Sequence, residues 1–155
     1  MSDAIRREGR VQWLAGLFLG EGCINTSWRT KNKDEFGEER IQLCNDATIV
    51  NTDKSLIDEA ETICRENDIK PIVYCTKKEI PRRNLWVIKI VGNNKLRKFL
   101  TLLLPYLIGF KGDATKEMLS LIDYRLSLGH LDKNGKIGDN PIILERIKRI
   151  KSLNG

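Results

Sequence analysis

Histidine is almost missing from these 155 residues, with His130 the only one, and the four cysteines, Cys23, Cys44, Cys64 and Cys75, stand singly with no C-x-x-C pair. Both scarcities argue against a zinc site, whose ligands are mostly Cys and His in close pairs. Unpaired thiols suit a reducing compartment. The opening stretch "MSDAIRREGR" has charge but no apolar run behind it, which argues against a secretory signal. An intracellular protein is expected, cytoplasmic in a prokaryote or within an organelle in a eukaryote. The longest apolar stretch, "FLTLLLPYLIGF", is too short to span a bilayer and contains Pro105. Neither a membrane nor a small-molecule cofactor is expected as a partner.

What the chain does have is positive charge: 27 Lys and Arg against 21 Asp and Glu give a net +6. That balance tilts it toward anionic partners, nucleic acid first. Its length suits one domain, 1–155, with a core over about residues 10–128 and a basic helical extension over about 140–153.

The order of elements follows from hydrophobic spacing. From about Val11 to Glu21 apolar residues recur at helical intervals, and Gly22 ends the helix. "CINTSWRT" then alternates, Ile24, Thr26 and Trp28 on one face and Asn25, Ser27 and Arg29 on the other. After the polar turn "KNKDEFGEE", "RIQLCN" alternates again, with Ile41 and Leu43 inward, and the two strands form a hairpin. Asp53 caps a helix running to about Asn67, whose apolar stripe is Leu56, Ile57, Ala60, Ile63 and Cys64.

"PIVYCTKK" and "LWVIKIV" read as two more strands around "EIPRRN", and Asn94 begins a helix that Pro105 ends or kinks. "DATKEMLSLIDYRLSL" is helical, and after a loop the basic helix "IILERIKRIKSL" closes the chain. The α-β-β-α-β-β-α order predicts an α+β fold: a four-stranded antiparallel sheet with helices on one face and the other face free.

Within the first helix, Gly16 and Gly20 are four residues apart and share a face with Ala15 beside them, so another backbone can approach closely there. Close packing within the chain and a two-fold contact between copies both use such a strip. Glu21, between Gly20 and Gly22, lies at the negative end of the helix dipole, where a carboxylate is locally unfavourable.

Residues 14 to 22, "LAGLFLGEG", resemble the nine-residue signature of the LAGLIDADG homing endonucleases, matching at Leu14, Ala15, Gly16, Leu17 and Gly22, with an acid kept in type at Glu21. The predicted element order is similar to that family's αββαββα core with its saddle-shaped sheet. Two positions depart: the sixth, usually acidic, is Leu19, and the eighth, usually Asp, is Glu21.

A single copy of the motif implies a homodimer whose interface draws on Leu14, Ala15, Gly16, Leu17, Leu19 and Gly20. The resemblance also implies a Mg²⁺-dependent endonuclease that cuts double-stranded DNA at a long near-palindromic site and is encoded in an intron. Glu21 and Gly20 would hold the metal, with Mn²⁺ or Ca²⁺ able to replace Mg²⁺ in binding. Asn51 matches the polar residue that orients a water, and Lys111 the active-site lysine. As plain sequence, Asn51 is equally a turn residue and Lys111 a loop lysine.

The free sheet face is expected to enter the major groove, where a β-ribbon fits and side chains reach base edges. Asn25, Ser27, Arg29, Arg40, Gln42, Tyr74, Thr76, Lys78 and Lys89 are the candidate readers, with Arg82 and Arg83 in the turn to hold phosphates. Two other functions fit the same residues. One is a nucleic-acid-binding protein that has lost cleavage, such as an RNA maturase assisting intron splicing or a DNA-binding regulator. The other is an interaction domain in which the glycine strip is ordinary packing.

Overall fold

The computed structural model describes residues 2–33, 39–76, 84–127 and 141–153. Its elements run α1 (Asp3–Glu21), β1 (Gly22–Lys33), β2 (Glu39–Asn51), α2 (Lys54–Glu66), β3 (Ile72–Thr76), β4 (Leu85–Val91), α3 (Asn93–Leu103), a 3-10 turn at Leu104–Tyr106, α4 (Gly109–Ser127) and α5 (Pro141–Leu153). The strands form one antiparallel sheet in the order β1-β2-β4-β3.

Parity along the strands separates the two faces. Ile24, Ala47, Ile49, Ile88 and Ile90 are buried together with residues of α1, α2, α3 and α4 in one core. Asn25, Ser27, Ile72, Tyr74, Thr76 and Val91 point the other way and are exposed. The expected α+β architecture, helices on one face and a free face opposite, is therefore what the chain forms.

Several elements are longer than their sequence pattern predicts, β1 running on to Lys33 and α4 starting at Gly109 among them. α1 begins at Asp3, not near Val11, because Ser2 accepts a hydrogen bond from the Ile5 N–H and Arg10 bridges Glu59 and Glu66 of α2 at 2.7 and 2.9 Å. A polar, charged first half has no apolar stripe to announce a helix, and capping and inter-helix ion pairs hold it instead. β2 continues through "DATIVN" to Asn51 because Ala47 pairs with Ile24 and Ile90, and Ile49 with Gly22 and Ile88. Asn45 and Asp46 interrupt the apolar alternation just where the strand becomes central; Asn45 is buried, its Oδ1 accepting from Thr26 Oγ1 at 2.7 Å.

Asp53 caps α2 as expected, its carboxylate accepting from the Ser55 N–H at 2.9 Å and from Ser55 Oγ at 2.6 Å. α5 contributes Ile143, Ile147 and Ile150 to the core, while Arg146 and Arg149 pair with Glu117 of α4 at 3.9 and 3.8 Å. The extension thus covers the core. Among the described residues no helix is long and apolar enough to cross a membrane.

Candidate metal centre and nucleic-acid face

Everything at the end of α1 turns on Phe18. Its ring is fully buried and meets Phe99 edge-on, with centroids 5.6 Å apart at 87°. The Gly22 N–H donates to the Phe18 carbonyl. A Cβ on Gly22 would run into the Phe18 ring and lie 2.5 Å from its carbonyl oxygen, so only glycine permits the chain to leave the helix here and enter β1. Glu21, immediately before this exit, is exposed.

Lys111, from the start of α4, closes the same helix end. Its Nζ donates to the carbonyls of Phe18, Leu19 and Gly22 at 3.0, 3.0 and 2.6 Å and lies 5.5 Å from the Phe18 ring centroid. An ammonium has three protons, and here each has an acceptor. The cation also sits against the negative end of the helix, where the last carbonyls lack helical partners. Burial pulls the Lys111 pKa below the ordinary lysine value, with Cys23 and Glu21 nearby acting in the opposite direction. The lysine is therefore not in a loop.

Asn51 is the last residue of β2, and because Gly22 pairs with Ile49 it lies at the sheet end where α1 arrives. Its Oδ1 accepts from the Asp53 N–H at 2.8 Å, the local turn that leads into α2. Glu21, Asn51 and Lys111 therefore occupy one end of the sheet, but the last two already serve backbone groups, Asn51 locally and Lys111 across from α4 to α1 and β1.

The signature helix divides its residues between two surfaces. Leu14 and Ala15 are buried in the chain's own core, as are Val11 and Phe18, and this corrects the expectation that Leu14 and Ala15 face a partner chain. Leu17 and Leu19 are half-buried against that core. On the opposite side of α1 lie Gly16 and Gly20, both exposed, with Trp13 also exposed between them and Gly9. A Cβ at Gly9, Gly16 or Gly20 would have nothing within 4 Å. Packing inside this chain does not account for those glycines. Exposed Ile108 and Phe110 flank the start of α4, two apolar residues that the sequence pattern did not single out.

For a metal, the donors at this end are the Glu21 carboxylate and the Gly20 carbonyl, which is not among the three that Lys111 takes. Oxygen donors of this kind suit Mg²⁺ or Ca²⁺. No group of three or more His, Cys, Asp or Glu side chains placed to hold a metal occurs among the described residues.

Strand register places Asn25, Ser27, Arg29, Arg40, Gln42, Tyr74, Thr76 and Lys89 on the free face, with Arg29 opposite Gln42. The side chains of Arg29, Arg40 and Gln42 lie outside the described residues, as do Lys78, Arg82 and Arg83 altogether. Thr76 Oγ1 donates to the Leu85 carbonyl at 3.3 Å. Lys89 pairs with Asp46 at 3.6 Å, and Asn25 Nδ2 donates to the same carboxylate at 2.7 Å. This acid on the free face was missed, because a lone Asp inside a strand pattern reads as an interruption.

Structures similar to this chain include homing endonucleases. The chain superposes on I-CvuI, solved in complex with an I-CreI target in the presence of Mg, with a TM-score of 0.68 and 19% identity, covering 96% of this chain and 84% of that one. For the homing endonuclease I-TnaI the TM-score is 0.64 at 18% identity, over 92% of this chain and 94% of that one. The archaeal intron-encoded homing endonuclease I-Vdi141I, complexed with DNA, gives 0.67 at 15% identity, over 99% and 87%. A family model described as LAGLIDADG-like domain matches residues 8–103, and the chain belongs to that family. No curated protein sequence matches it.

Proposed function

We propose that this protein is a site-specific, Mg²⁺-dependent endonuclease for double-stranded DNA that works as a homodimer and is encoded within an intron. The observation that carries this reading is the uncovered strip of Gly16 and Gly20, opposite the core and leading directly to exposed Glu21. Two copies meeting along this strip would bring two carboxylates to one axis. One chain supplies a single side-chain oxygen ligand there, so the second copy, phosphate oxygens and water complete the set.

A divalent cation there would activate water and stabilise charge on the leaving oxygen. The chain's own residues do the rest. Glu21, with the Gly20 carbonyl, holds the cation. Lys111 fixes the helix end that carries Glu21, and Asn51, with its oxygen committed to the Asp53 N–H, has its amide nitrogen left to orient a water. The free sheet face, basic in its β1 and β4 residues, docks in the major groove. The assignment is supported by the family and by the DNA complexes of chains with the same fold.

A second reading has an observation in its favour. Because Lys111 and Asn51 are engaged by backbone, the chain also fits a DNA- or RNA-binding protein without cleavage, such as a maturase. Incubation with a plasmid bearing the uninterrupted host locus separates the two. The endonuclease cuts at one site with Mg²⁺ and stops on adding EDTA, and Glu21→Gln abolishes cutting while leaving site binding intact. Binding with no cut under any metal favours the second reading, and a Glu21→Gln protein that still cuts contradicts the role of Glu21.

A further inference from the structure

A carboxylate in the middle of a surface built to meet a polyanion needs a reason. Asp46 is on β2, next to the strand's central pairings, with its side chain mostly covered. It is not part of the core, and its partners are all on the free face. Its Oδ1 accepts from Asn25 Nδ2 at 2.7 Å, and its Oδ2 lies 3.6 Å from Lys89 Nζ on β4. Asn25 Nδ2 also donates to Thr48 Oγ1 at 3.3 Å, and Asn25 Oδ1 accepts from Cys23 Sγ at 3.2 Å.

These contacts decide what each group can offer to a base. A carboxylate only accepts, so the Asn25 amide nitrogen must face it, and both Asn25 N–H groups are then in use. Asn25 is left as an acceptor, not as the bidentate donor-acceptor that pairs with adenine. Asp46 is held in place by Asn25 on one side and Lys89 on the other. A 3.6 Å ion pair still open to water on the lysine side adds little stability, which makes a purely structural role a weak reason to put a negative charge here.

The geometry points to Asp46 and Lys89 as a preformed pair that reads one G·C base pair in each half-site, Asp46 accepting from cytosine N4 and Lys89 donating to guanine O6 and N7. In the major groove a G·C pair presents the cytosine amino donor beside the guanine O6 acceptor. A fixed acceptor beside a fixed cation is the complement of that edge. A·T offers the opposite order, and T·A, which keeps the acceptor-then-donor order through thymine O4 and adenine N6, puts the thymine methyl where guanine has N7, so donation by Lys89 to N7 as well as O6 discriminates against both. This inference rests on the DNA-docking face proposed above and assigns to it two specificity-determining residues.

The test is enrichment of binding sites from a random duplex pool by the full chain without divalent metal, so that cleavage plays no part. The wild type is expected to fix one G·C pair per half-site that both Asp46→Ala and Lys89→Ala lose. Discrimination should fall by roughly tenfold at that position alone, in line with the usual cost of one mismatched pair. Asp46→Ala should also bind random DNA more tightly, since a repulsive charge is gone. Asp46→Asn, which keeps the shape and gains a donor, should admit T at the former C position through thymine O4. That gain is one a merely structural role would not produce. Unchanged base preferences in Asp46→Ala and Asp46→Asn overturn the inference, as does an equal loss at every position. If the wild type enriches no sequence, it is the DNA-docking function that fails, and the pairing with it.

Discussion

Lys111 spends its ammonium on the carbonyls of Phe18, Leu19 and Gly22, which makes the end of α1 a built object and not a frayed one. Replacing it by Met removes the ammonium's donation to all three and leaves the Phe18 carbonyl only its bond from the Gly22 N–H, and a lost bond of this kind costs about 1–3 kcal/mol. Lys111→Met should therefore melt earlier than wild type in a thermal scan; unchanged melting would mean that the contacts are dispensable to the fold. Asp53 makes a pH prediction. Its hydrogen bonds from Ser55 hold the carboxyl below its ordinary pKa. A depressed carboxylate adds stability that is complete above its unfolded pKa and is lost as pH falls through the folded one. Asp53→Ala should thus be less stable than wild type at neutral pH, with the difference closing as the pH drops below the carboxylate range. A difference that persists in strong acid would contradict the cap.

At the scale of elements, α1 asks opposite things of its glycines. Gly22 is a steric necessity against Phe18, whereas Gly16 and Gly20 face open space. Gly22→Ala should lose about 1–3 kcal/mol through overpacking. Gly16→Ala should stabilise the isolated fold by about 0.5–1 kcal/mol, since Ala is the better helix former, while weakening self-association. Chemical denaturation at low and high protein concentration measures both effects, and a Gly16→Ala protein that associates like wild type would contradict the seam.

The same helix shows what the sequence made legible. Its motif, the α-β-β-α-β-β-α order and the Asp53 cap were readable because they depend on local spacing and local hydrogen bonds. The division of "LAGLFLGEG" into core residues Leu14 and Ala15 and open residues Gly16 and Gly20 was not, because small residues look alike whichever surface they line. Nor was the fate of Lys111, which depends on the meeting of two segments 89 residues apart in its bond to Gly22. Asp46 was hidden for a similar reason, its role coming from Asn25 and Lys89 on neighbouring strands.

At the scale of the molecule, the sheet's free face and the far side of α1 are surfaces that the core does not claim among the described residues. α5 buries Ile143, Ile147 and Ile150, so the basic extension adds to the core as well as to the charge. One chain then presents a single Glu21 at the end of a bare helical strip, and the proposed metal site needs a second. The mass of the species in solution, by sedimentation with and without duplex DNA, tests this most directly. Twice the 17.8 kDa of one chain is expected for the wild type, falling to one chain for Gly16→Leu and Gly20→Leu. A wild type that sediments as a single chain, alone and on DNA, would contradict it.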